Sequence, residues 1–345
     1  MYLHPLLLGA FVLDLLGVLL VLAAGWKAYG ILTGWQAGTP TPHQLALERA
    51  AEVATSQLNW ALALTGTSSL LLILSISNIL PSIVPGAMCG TGVMQAAEPY
   101  GRQALWLRGI AFATLYWQTV VGRLNSHSHR ALLTTTQARF VLIALPLVVL
   151  SFYATLRFTL ALDVHQAVDC CAVVYDAARS NVPTAAAAPA RGRFFLLAAW
   201  GICGGLLMAS GIRIALADNR HRRFCGIFVL ALVVIWVPLA FLSLTHHLCV
   251  YFYQVLAHRC PWCLLLPEHR FAGFPLYAML YGVWLEGPVL ALCAHLGSKC
   301  PPLASVAKRR GSRASWHIAV CSAGFMLLAV LPAVWWRWEY GVWMG

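Results

Sequence analysis

Charge is what this sequence has least of. Its 345 residues include 11 Asp and Glu and 23 Lys and Arg, 10% charged in all, where a soluble domain carries about 25%. So few polar groups cannot cover a water-exposed surface, and a soluble enzyme is excluded. Disorder is excluded too, because it needs low hydrophobicity and high charge, and 60% of this chain is hydrophobic. The 11 cysteines are spread too thinly for a small secreted domain stapled by disulfides. Lysine is rare, so the net charge of +12 is carried almost wholly by arginine. No basic run is interleaved with aromatics on a polar domain, and nucleic acid is not an expected partner.

What the sequence does have is long apolar runs, with a mean hydropathy of +0.75. About 20 apolar residues cross the roughly 30 Å of bilayer hydrocarbon. Eight stretches qualify: 5–25, 58–80, 104–122, 139–161, 194–216, 225–246, 272–296 and 316–337. The first has no Lys or Arg before it and is too long for a signal-peptide core, so it reads as a retained span. The expected fold is an all-α integral membrane protein: one polytopic domain, 1–345, of about eight transmembrane helices with cysteine-rich outer loops. The segment from His43 to Trp60 has helical composition and extends span 2 or lies at the interface. No internal repeat is visible.

Orientation follows the bias of Lys and Arg toward the cytoplasmic ends of spans. Of the 23 basic residues, 14 fall on one side and 9 on the other; loops 213–223 and 299–313 are the strongest and agree. Both termini are therefore expected outside, in a bacterial inner (plasma) membrane or its equivalent. This places Cys89, the vicinal Cys170 and Cys171, and Cys249, Cys260 and Cys263 in three outer loops, on the oxidising side. Cys203, Cys225, Cys293, Cys300 and Cys321 read as small core residues or lie toward inner helix ends.

The densest chemistry is His246-His247-Leu-Cys249, then His258-Arg259-Cys260-Pro-Trp-Cys263, then Glu268-His269. A C-x-x-C unit lets two sulfurs close a small ring or grip one ion. A neighbouring cation such as His258 or Arg259 lowers the thiol pKa. Three readings stay open: a redox dithiol, a Cys/His site for Cu(I) or Zn, and a structural staple. Covalent haem needs His after the second Cys, and Leu264 stands there.

Cys170 and Cys171 sit in an acidic loop; as a vicinal pair they face different partners, such as Cys260 or Cys263. Met88, Cys89 and Met94, in a turn rich in Pro and Gly, are soft ligands that suit Cu(I). The metal-ligand candidates are therefore His246, His247, Cys249, Cys260, Cys263, His269, Met88 and Cys89. Asp14 and Glu286 fall inside spans, where a carboxylate faces the bundle interior. Each either handles protons or pairs with a group such as Arg108 or Arg157. Non-covalent haem b is less favoured, because nearly all its candidate histidines, His4, His246 and His247 outside and His127, His129, His295 and His317 inside, lie at helix ends or in loops, which leaves room for one interfacial haem only.

The outward Cys260-Pro-Trp-Cys263 unit, opposed by Cys170-Cys171, resembles the membrane thiol oxidoreductases that pass electrons between periplasmic disulfides and quinone. Those are bundles of about four or five helices with two separated cysteine pairs, whereas this chain has eight expected spans and a vicinal pair. The resemblance implies that Cys260 attacks a partner disulfide, Cys263 resolves it, and Cys170 or Cys171 relays electrons. His258 and Arg259 would stabilise the thiolate. The rival reading handles copper or zinc, by transport or by assembly of a metalloenzyme. A third is a non-catalytic subunit of an electron-transfer complex. The expected partners are the lipid bilayer, an extracytoplasmic thiol or metalloprotein, and membrane complex subunits.

Overall fold

The computed structural model describes residues 4–36, 41–127, 131–165, 167–168, 190–216, 222–255 and 258–344. Every regular element among them is helical. The long helices are α1 (Pro5–Gly34), α2 (Pro42–Leu74), α4 (Tyr100–Ser126), α5 (Thr134–Ala161), α6 (Ala190–Leu216), α7 (Arg222–Ser243), α9 (Gly273–Lys299) and α10 (Ala304–Tyr340). Two short helices, α3 (Gly90–Gln95) and α8 (Cys249–Tyr253), sit in connections.

Seven of the long helices are apolar enough to cross a membrane, as an α-helical integral membrane protein requires. The remaining one, α4, is diluted by Arg102, Arg108 and Arg123. In apolar surroundings each backbone amide must bond within its own helix, which is why the chain is built this way. Helix starts follow the local chemistry. Thr41 caps α2 by accepting from the Gln44 N–H at 3.2 Å, and Pro42 takes the first turn, where no N–H is needed. The segment from His43 to Trp60 belongs to α2, a continuation of span 2.

The helices gather into two compact units, Met1–Cys170 and Cys171–Gly345. In the first, α1 packs on α2 and α5, and α4 packs on α2 and α5, closing a four-helix ring. Its core is small and aliphatic: Val21, Ala24 and Ala28 of α1 meet Leu58 and Ala61 of α2, Leu115 of α4 and Ala144 of α5. The opposite face of α1 exposes Leu8, Val12, Leu15 and Leu19, a lipid-facing stripe at helical spacing.

In the second unit, α6, α7, α9 and α10 close a ring of the same order. Its core is aromatic: Phe325 of α10 meets Trp236 of α7 edge-on, with ring centroids 5.6 Å apart, and Trp200 of α6 at 6.4 Å. Glycines bring backbones close, as membrane packing favours. A Cβ on Gly211 of α6 would lie 2.8 Å from the Ser315 carbonyl oxygen of α10.

The units share more than the ring. In each, the second long helix runs into a π-turn, Ser75–Ile79 after α2 and Leu244–Leu248 after α7. Each π-turn leads into a cysteine-bearing connection to the third long helix. Wide π-turns recur at functional sites in helices.

Candidate functional site

Asp14 and Glu286, the two span carboxylates, both have arginine partners. In the first unit Arg108 of α4 is 3% exposed, and its guanidinium reaches all three other long helices. It donates to both carboxylate oxygens of Asp14 on α1, to Ser68 Oγ of α2 at 2.9 Å and to Thr155 Oγ1 of α5 at 2.8 Å. Arg157, the other candidate partner, instead donates to the Tyr100 hydroxyl at 2.7 Å and lies over its ring. In the second unit Glu286 of α9 accepts from Arg310 of α10 at 2.9 Å on each oxygen. His317 Nδ1 lies 3.5 Å from the same carboxylate. Arg310 belongs to a run the sequence places in an inner loop; here it is six residues inside α10.

The C-P-W-C segment forms a compact loop between α8 and α9 in the second unit. Gln254 ends α8 in a left-handed conformation, with φ of 55°. Cys263-Leu264-Leu265 then makes one 3₁₀ turn, and Pro267-Glu268-His269 a second. Cys263, Leu264 and Leu265 are buried and anchor the loop. Gly273, the first residue of α9, allows the approach, since a Cβ there would lie 2.9–3.0 Å from Leu264 and Leu265. Arg270 and Phe271 both adopt φ of 54°, a conformation costly to residues with a Cβ.

Two tyrosines clamp this loop. The Tyr253 hydroxyl, from α8, donates to the Cys260 carbonyl, and the Tyr277 hydroxyl, from α9, donates to the Pro261 carbonyl at 2.7 Å. His258 and His269 each meet the Tyr253 ring edge-on, with centroids 4.6 Å away. The Cys260 and Cys263 sulfurs lie within 4.8 Å of each other. Cys260 is half-buried and Cys263 buried. Burial holds the His258 imidazole below its ordinary range. Burial does the same to His269, against the opposing pull of Glu268. Both rings therefore favour the neutral form, and a neutral imidazole accepts a proton or ligates a metal.

The other candidates are placed as follows. His246 and His247 fall in the π-turn with ring centroids 6.4 Å apart, and Cys249 is fully buried one residue beyond it. In the first unit Cys89 is fully buried, Met94 is buried, and Met88 is 66% exposed. Val168 N–H donates to the Pro85 carbonyl at 3.0 Å, so the chain after α5 runs past this turn. Cys170, Cys171 and His129 lie outside the described residues. His4 accepts at the α1 cap, and the His127 ring bonds the Arg123 carbonyl at 2.7 Å. Sequence reading missed the Tyr253 and Tyr277 clamps; the available signal was Tyr253 one helical turn after Cys249.

These features define an α-helical membrane protein with a thiol and imidazole loop at the end of one helical unit. Comparison with known proteins adds no family: no family model, curated protein or solved structure matches the chain.

Proposed function

We propose that the chain is a membrane thiol–disulfide redox protein whose working pair is Cys260 and Cys263. The observation that carries this reading is the pair itself: two sulfurs within 4.8 Å, one half-buried and one buried. That asymmetry suits an attacking thiol and a resolving thiol. Both sit in a turn whose carbonyls are held by two tyrosine hydroxyls. His258, two residues before Cys260 and neutral, serves as acceptor of the Cys260 proton in place of the cationic role.

In the exchange, Cys260 thiolate attacks one sulfur of a partner disulfide and releases the other as thiolate. Cys263 thiolate then attacks Cys260 Sγ in the mixed disulfide, which frees the second partner thiolate and closes Cys260–Cys263. Two electrons have passed to the partner. Run in reverse, partner thiols reduce the Cys260–Cys263 bond. A quinone-class acceptor then takes two electrons and two protons as that bond re-forms.

The membrane setting of this reading has α4 as the eighth crossing, its Arg108 masked from lipid by Asp14. With eight crossings and the charge bias, both termini and the loops bearing Cys89 and Cys260 face outward, across a bacterial inner membrane or its equivalent. Copper or zinc handling is the competing reading, and it draws on the same two sulfurs and the same neutral imidazoles.

The test uses full-length protein and glutathione disulfide as the probe. Cys263→Ser is expected to trap a mixed disulfide at Cys260, and Cys260→Ser to form none. Equal trapping in both variants, or none in either, would contradict the proposal.

A further inference from the structure

The first half of α10 carries Lys308, Arg309, Arg310 and Arg313 within six residues. Arg310 turns inward to Glu286, while Lys308, Arg309 and Arg313 are exposed. No acidic residue occurs between Glu286 and Glu339, so this stretch of sequence holds no counter-charge for Arg309 or Arg313. Arg309, Arg313, Trp316, Val320, Ala323 and Leu327 recur at intervals of three or four and are all exposed, which puts them on one face of the helix. Trp316 and Val320 are each 51% exposed and Leu327 67%.

From this stripe we infer that α10 holds an anionic phospholipid, with its phosphate on Arg309 and Arg313 and its chains along Val320, Ala323 and Leu327. The order of chemistries matches a lipid lying along the helix. At about 1.5 Å per residue, Trp316 stands roughly 5 Å beyond Arg313 and Leu327 about 21 Å beyond it. The apolar track thus covers a single leaflet, about 15 Å deep. The guanidinium fork suits phosphate oxygens, and indole rings settle at the glycerol level between polar and apolar layers. Charge decides the lipid class: two exposed arginines at the head of the stripe select a negative headgroup over a zwitterionic one. The inference requires only that the chain lies in a membrane and is independent of the thiol chemistry.

The test is lipid retention by the full-length protein in a mild non-ionic detergent, read by native mass spectrometry. The probes are phosphatidylglycerol and phosphatidylcholine with the same acyl chains. Phosphatidylglycerol is expected to be retained in preference. The double variant Arg309→Gln/Arg313→Gln should lose about fivefold in retention for each arginine removed, and Arg337→Gln, at the far end of α10, none. For the unaltered protein, added salt should displace phosphatidylglycerol, and inorganic phosphate should do so no better than chloride at equal ionic strength. Equal retention of the two lipids, an unchanged double variant, or selective displacement by phosphate would each overturn the inference.

Discussion

Arg108 and Asp14 meet in the core of the first unit through two parallel hydrogen bonds, joining helices that begin 95 residues apart in the chain. The remaining guanidinium donors that bond go to Ser68 and Thr155, so one side chain ties four helices. Removing one partner of a buried pair leaves an uncompensated charge, which costs about 3–5 kcal/mol. Arg108→Met and Asp14→Leu are each expected to destabilise by that order, and the double variant to recover most of the loss. Unfolding of the three variants and the unaltered protein in one detergent measures this; additive losses would show that the pair does not act as a unit.

Glu286 and Arg310 give an unequal pair. Arg310 is partly exposed and lies toward the basic end of α10, so without its partner it can extend toward water. Glu286 is buried and has no such exit. Arg310→Ala should therefore cost about 3 kcal/mol and Glu286→Gln nearer 1 kcal/mol. The same unfolding measurement reads the difference, and a reversed order would contradict the asymmetry.

Thiol labelling should follow burial. Cys260 is half-buried, Cys263 is 6% exposed and Cys249 is fully buried. With reduced protein and a small maleimide, single-cysteine variants should label in that order, Cys260 fastest. Cys249 should react only after unfolding. Faster labelling of Cys263 than Cys260 would reverse their assigned roles.

Acid should loosen the loop. Burial lowers the pKa of His258 and His269 from the ordinary value of 6.5, so the folded loop prefers neutral rings. A lowered folded pKa contributes stability that is fully present above the unfolded value. It is lost as pH falls from about 6.5 through the folded values. Protease resistance of the loop should therefore drop below pH 6.5, and His258→Asn/His269→Asn should flatten that dependence. Greater resistance in acid would mean the rings gain charge in the fold.

The helices were legible because lipid leaves a chain few alternatives, and each expected span overlaps a long helix. Arg108 was legible as a partner for Asp14 because an arginine inside an apolar run must be compensated somewhere. Arg310 was not: a cluster of four cations reads as an inner loop, and only the helical turn of α10 aims one of them at Glu286. The shared ring order and paired π-turns were hidden as well. They reside in backbone geometry, and apolar side chains substitute freely for one another on lipid-facing surfaces. The C-P-W-C unit announced itself by spacing, whereas its tyrosine clamps come from two different helices and left one local cue, Tyr253 a helical turn after Cys249.

The most direct test of the central claim takes one preparation of purified full-length protein and measures metal content and thiol state together. The account predicts protein without stoichiometric copper or zinc, carrying a Cys260–Cys263 disulfide that reduces with dithiothreitol and re-forms with a quinone. Stoichiometric copper or zinc that disappears in Cys260→Ser/Cys263→Ser would contradict it and assign the same loop to metal handling.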